Sequence, residues 1–159
     1  MKLLETWVKA PFLKGSSLLV VGECVQTTFP EAYRKFEKER IVLTSCPETE
    51  NHGSIISKLA TILACAKPKA VTVLTVDGSP HCFGLHAALS QALFLTSAQI
   101  PSHHYVIVNG KALKVSPDAV RVGRYLHLVQ KCVDSCPEIL EELSRLSLEQ
   151  RCFTKPSSK

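Results

Sequence analysis

Residues 70–84 read AVTVLTVDGSPHCFG. Ala70 to Val76 is an unbroken apolar run rich in β-branched residues, and it predicts a strand. Asp77-Gly78-Ser79-Pro80 supplies turn chemistry that stops it. From Gly84 to Thr96, Leu85, Ala88, Leu89, Ala92 and Leu93 recur at helical spacing, which predicts a helix with one buried face. A strand followed at once by a buried helix is half of a βαβ unit.

Working outward, the same alternation recurs on both sides. Ser17 to Gly22 (SLLVVG) predicts a buried strand ending at glycine. Phe29 to Glu39 predicts a helix, with Pro30 at its first position and Tyr33 and Phe36 on one face. Ile41 to Thr44 is a second β-branched run. Ser54 to Ala66 predicts a helix through Ile55, Ile56, Leu59, Ile62 and Leu63, closed by Lys67-Pro68. Downstream, His104 to Val108 predicts a fourth strand. Asn109-Gly110 is a strong two-residue hairpin signal, returning Lys111 to Val115 antiparallel. Ser116-Pro117-Asp118 opens a helix carrying Val122, Tyr125, Leu126 and Val129. Ser135-Cys136-Pro137-Glu138 opens the last one, carrying Ile139, Leu140, Leu143 and Leu146.

The order β-α-β-α-β-α-β-β-α-α implies an α/β fold. The expected architecture is three-layer, a mostly parallel sheet with an antiparallel edge hairpin and C-terminal helices. Residues 1–153 are read as a single domain and 154–159 as a disordered tail. Trp7 and Phe12 are expected to anchor the N-terminal segment on the core.

Composition fits this reading and excludes others. The chain has 159 residues, 45% apolar and 21% charged, as in ordinary globular proteins. No apolar run approaches the ~18 residues of a membrane span, and the first fifteen residues lack a signal-peptide cleavage pattern. The formal charge of +5 is scattered. Arg34, Lys35, Lys38 and Arg40 alternate with Glu37 and Glu39, which reads as a solvated helix face. Neither nucleic acid nor membrane is expected as a partner. Seven cysteines without an export signal point to a reducing, cytoplasmic setting and free thiols. The oligomeric state is not fixed by the sequence.

In open parallel sheets, ligands bind outside the carboxyl ends of the strands. The first strand ends Gly22-Glu23-Cys24, the second Ser45-Cys46-Pro47, and the third Asp77 to Gly84 with His81 and Cys82. If the strands neighbour each other in the order second-first-third, Cys24, Cys46 and Cys82 lie along one edge, with His81 beside Cys82. Three thiols and an imidazole are a four-ligand set for zinc, or for an iron–sulfur cluster. The competing reading makes the same cysteines small core residues, since cysteine is among the most buried residue types. Cys82 has a second role open to it, as a nucleophile or redox thiol at a helix start, where the helix dipole lowers a thiol pKa.

Other candidates carry weaker signals. Cys65 reads as core, Cys132 and Cys136 as packing residues, and Cys152 as a surface thiol. His86 reads as a helix-surface residue and His103-His104 as half-exposed strand positions, while His52 is close enough in sequence to reach the Cys46 edge. His127 has no special reading, and Asp77 and Glu23 are loop carboxylates or partners for a ligand histidine. There is no GxGxxG after the first strand, no GxxxxGK[ST] and no GxSxG, so the dinucleotide, P-loop and hydrolase-elbow readings fail.

The segments LLVVGECVQTTFPEAYRKF, IVLTSCP, ISKLATIL and VTVLTVDGSPHCFGLHAAL, spanning about Leu18 to Gly110, resemble a poorly characterised group of α/β proteins from anaerobic bacteria and archaea. Its members are known as ferredoxin-like or iron–sulfur-binding proteins. They carry Asp-Cys after the first strand, Cys-Pro after the second and Pro-Cys-Cys-x-Gly-Leu after the third. Cys24, Cys46 and Cys82 match the group's cysteines, and His81 stands where the first of its cysteine pair would be. Glu48 replaces the lysine that usually follows Cys-Pro, and the CxxCxxC segment of many members is missing. The resemblance implies a metal- or redox-associated accessory protein that works beside a redox enzyme or a ferredoxin-type protein. The alternatives are a thiol enzyme using Cys82 and a metal-free interaction or scaffold domain.

Overall fold

Leu18, Leu19, Val20 and Val21 are at most 1% exposed. A strand buried to that degree on both faces needs a covering layer on each. In the computed structural model, which describes residues 1–148, that strand is β1 (Ser17–Gly22). It lies between β2 (Ile41–Ser45) and β3 (Ala70–Val76), parallel to both. Next come β4 (Ser102–Val108), parallel to β3, and β5 (Lys111–Val115), antiparallel to β4. The order β2-β1-β3-β4-β5 begins with the second-first-third arrangement on which the shared cysteine edge was conditional. The edge hairpin turns through Asn109 (φ 49°) and Gly110 (φ 77°), the left-handed pair that such a turn requires.

Alternate residues supply two cores. Leu18, Val20, Val71 and Val73 pack with α3 (His52–Ala66) and α4 (Pro80–Thr96) through Ile55, Leu59, Leu85 and Leu89. On the other face Leu19, Val21 and Leu74 meet Val25 of α1 (Glu23–Thr28) and Ala32 of α2 (Pro30–Glu37). Each fully buried leucine contributes roughly 1.5–3 kcal/mol. The helix starts are chemically fixed. The Asn51 side chain accepts from the Ser54 amide at 3.0 Å, and Ser79 accepts from Cys82 with Pro80 in the first turn.

Several expectations are corrected. Trp7 and Phe12 are 66% and 45% exposed, so they do not anchor the N-terminal segment. Leu3, Ala10 and Leu13 do, and the backbone helps: Thr44 N–H donates to the Met1 carbonyl at 2.8 Å and Leu3 N–H to the Thr44 carbonyl at 2.7 Å. The helix expected from Phe29 is preceded by another, α1, which starts directly after β1. Phe29 separates the two at φ −131°, ψ 57°, because a residue before proline is pushed out of the helical region.

The helix expected from Ser116 is also divided, into α5 (Pro117–Val122) and α6 (Leu126–Ser135), with Gly123 in the break. The described residues form two compact units, Met1–Val120 and the chain from Arg121 onward. In the second, α7 (Glu138–Leu146) follows Pro137 and carries Ile139, Leu140, Leu143 and Leu146 as expected. Cys152 and the tail at 154–159 lie outside the described residues. Among the described residues no helix is long and apolar enough to cross a membrane.

Candidate functional site

The parallel register sets the positions of the three strand-end thiols. Gly22 pairs with Ser45, so Cys24 and Cys46 leave adjacent strands at the same level. On the other side of β1, a Cβ placed on Gly22 would lie 3.9 Å from Cys82 Sγ and 4.0 Å from Thr75 Cα. The Cys82 sulfur therefore lies close to the end of β1, at a distance that a side chain at this position would meet in ordinary contact. Cys24 sits in the first turn of α1, not in a loop, because α1 begins without a linker. Burial pushes the Cys24 thiol above its usual pKa, and the neighbouring Cys82 and Cys46 thiols push it the same way. Each of the three cysteines thus follows on the carboxyl end of a neighbouring strand, with Cys82 Sγ near Gly22 at the end of β1.

The three thiols differ in setting. Cys24 is exposed, Cys46 is half-buried, and Cys82 is 8% exposed. A carboxylate shapes the Cys46 turn. Glu50 Oε2 accepts from Ser45 Oγ at 2.6 Å and from the Cys46 amide at 3.2 Å. The Cys46 carbonyl in turn accepts from the amides of Thr49 and Glu50 at 3.0 and 2.9 Å. His81 lies in the first turn of α4, half exposed, with Nδ1 3.9 Å from Glu48 Oε2. Its imidazole thus faces the Cys46–Glu48 turn. Three sulfurs are the donor chemistry of a soft metal. Among the described residues, no three of His, Cys, Asp and Glu are already set around a common point as metal ligands.

The remaining cysteines and histidines divide differently from their sequence readings. Cys65 is exposed on α3, not in the core, and Cys132 and Cys136 lie on the surface of the second unit. His52 reaches the start of α4, where a Cβ on Gly84 would touch its ring at 3.4 Å. His127 faces the Tyr125 ring at 6.1 Å.

His86 and His104 are the main surprise. They are 3% and 1% exposed, where a helix surface and a half-exposed strand were expected. Their Nδ1 atoms are 3.0 Å apart, and His86 Nε2 is 2.8 Å from Thr75 Oγ1. Burial holds His86 down to about 3 and His104 to about 4, with each reinforced by a neighbouring histidine. The available signal was register: on α4, His86 is one residue after the buried Leu85 and two before the buried Ala88. Single-residue reasoning about histidine hid it.

The carboxyl end of β3 also borders a cavity of about 320 Å³, lined by Thr75, Val76, Asp77, Phe83, His86 and Val106 among others. It lies on the α4 face of the sheet, toward β4, whereas Cys24 and Cys46 follow β1 and β2.

An uncharacterised protein of Archaeoglobus fulgidus is 25% identical to this chain over 131 residues, covering 79% of the chain and 91% of that protein. This agrees with the resemblance to poorly characterised archaeal α/β proteins, and its name carries no iron–sulfur centre. No solved structure matches the chain. A family model described as a Rossmann-like domain matches residues 10–146, and the chain belongs to that family.

Proposed function

We propose that this protein is a redox accessory protein holding a soft metal or an iron–sulfur centre at the carboxyl edge of its sheet. Cys24, Cys46 and Cys82 are the thiolate ligands and His81 the fourth. The observation that carries the reading is the strand order: β2, β1 and β3 are neighbours, and each delivers one cysteine just past its carboxyl end. Bound there, iron would supply one-electron chemistry and zinc a Lewis-acidic or purely structural centre. The residues around it hold the site in shape: Glu50 fixes the Cys46 turn, and Glu48 faces His81. A redox enzyme or a ferredoxin-type protein is the partner this reading implies.

The test is metal and sulfide content on protein purified without oxygen, for the natural chain and Cys46→Ser. Near-stoichiometric zinc, or iron with sulfide, should be present in the natural chain and lost in the variant. A folded natural protein without metal, or a variant that retains it, defeats the proposal.

A second reading rests on the place of Cys82 in the first turn of the seventeen-residue α4, where the helix dipole favours a thiolate nucleophile. Its 8% exposure weighs against ready attack on a substrate. Alkylation of Cys82 near pH 6 faster than that of a free model thiol would favour it.

A further inference from the structure

The cavity at the ends of β3 and β4 has features that neither the sheet nor the thiols require. Its walls are apolar, formed by Val76, Phe83 and Val106, while its inner end is polar, where Thr75 and His86 meet. Its about 320 Å³ falls at the small end of ligand pockets. It opens between β3 and β4, one strand away from the β1–β3 point where the strand order reverses. It thus shares the carboxyl edge of β3 with that switch point and opens on its β4 side.

The polar end is chemically adaptable. A hydrogen bond between two Nδ1 atoms needs one proton between them, so two arrangements satisfy it. If His86 donates to His104, His86 Nε2 accepts from the Thr75 hydroxyl, and the Thr75 oxygen offers the cavity a lone pair. If His104 donates, His86 Nε2–H donates to Thr75, whose own proton is free for the cavity. Both histidines are neutral at physiological pH, so this end carries no charge. The charged lining group is Asp77, at the exposed end of the cavity, and among the described residues it has no ion pair. A negative charge without a cation disfavours phosphates and carboxylates. Apolar walls with a carboxylate at the mouth suit an organic cation with an apolar body.

We infer that this cavity binds a small, largely apolar amine, its body against Phe83, Val76 and Val106, its ammonium at Asp77, and any second polar group read by Thr75 backed by His86.

Benzylamine and benzoate, matched in size and opposite in charge, test this on the natural chain by NMR titration. Benzylamine should shift the methyl signals of Thr75, Val76 and Val106 saturably in the millimolar range. Benzoate should bind at least ten-fold more weakly. Phe83→Ala, at a partly exposed wall position, should leave the fold's spectrum intact and weaken benzylamine about ten-fold. Asp77→Asn should bring the two ligands closer in affinity. No shift at these methyls, or benzoate binding as well as benzylamine, overturns the inference. Neither outcome depends on metal at the cysteines, so the thiol proposal stands or falls separately.

Discussion

Lowering the pH from 8 to 5 should destabilise this protein steeply, through the buried histidine pair. An unfolded histidine titrates near 6.5, whereas in the fold His86 and His104 are held at about 3 and about 4. Between those values the unfolded chain binds protons that the folded one refuses. Stability is therefore full above pH 6.5, falls as pH drops below it, and levels off only beneath the folded values. Each histidine costs about 1.4 kcal/mol per pH unit in that window, so at pH 5 the pair removes roughly 4 kcal/mol. That is a large share of the ~5–15 kcal/mol typical of a domain. With a urea slope of about 2 kcal/mol per molar, the midpoint should drop by about 2 M between pH 8 and pH 5. His104→Gln should roughly halve the dependence. A midpoint in the natural chain that moves by less than about 0.5 M would refute the burial argument. So would ring signals showing either histidine protonated in the folded state at pH 5.

Leu89→Ala, emptying a side chain buried between α4 and the sheet, should cost about 2–5 kcal/mol in urea unfolding. Ser79→Ala removes the cap from α4 and should cost about 1 kcal/mol, with the spectral changes confined to the first turn and the cavity rim. Glu50→Gln weakens a charged acceptor shared by Ser45 and the Cys46 amide. It should cost about 1–3 kcal/mol and speed amide exchange at Cys46, with β4 and β5 unaffected. In the folded protein, alkylation should modify the exposed Cys65 well before the buried Cys82; the reverse order, read by mass spectrometry, would contradict their burial.

The parts legible in the sequence are those where one residue pattern had one physical meaning. AVTVLTV could only be a sheet strand, and Asn109-Gly110 could only be a tight hairpin. That Cys24, Cys46 and Cys82 each fall just past a strand was legible too, whereas the order that makes those strands neighbours was only a condition of the reading. What stayed hidden depended on partners far along the chain. His86 and His104 are buried because each supplies the other's hydrogen bond across eighteen residues, and neither residue alone reveals that. Trp7 and Phe12 were read as anchors because they are large, yet backbone pairing with Thr44 and the smaller Leu3 and Leu13 do the anchoring. α1 was missed because it has six residues and starts without a loop. The cavity at the ends of β3 and β4 left no motif at all, since its walls come from β3, β4 and α4.

The strand order also dictates when the central strand can be completed during synthesis. β1 is made first but lies in the middle of the first three strands, so it waits for β2 on one edge and β3 on the other. As the chain emerges, Cys24 and Cys46 are available to each other before Cys82 exists. Pairing of β1 with β3 cannot precede synthesis of Ala70–Val76, so the second edge of the central strand stays open until more than half of the described chain has been made.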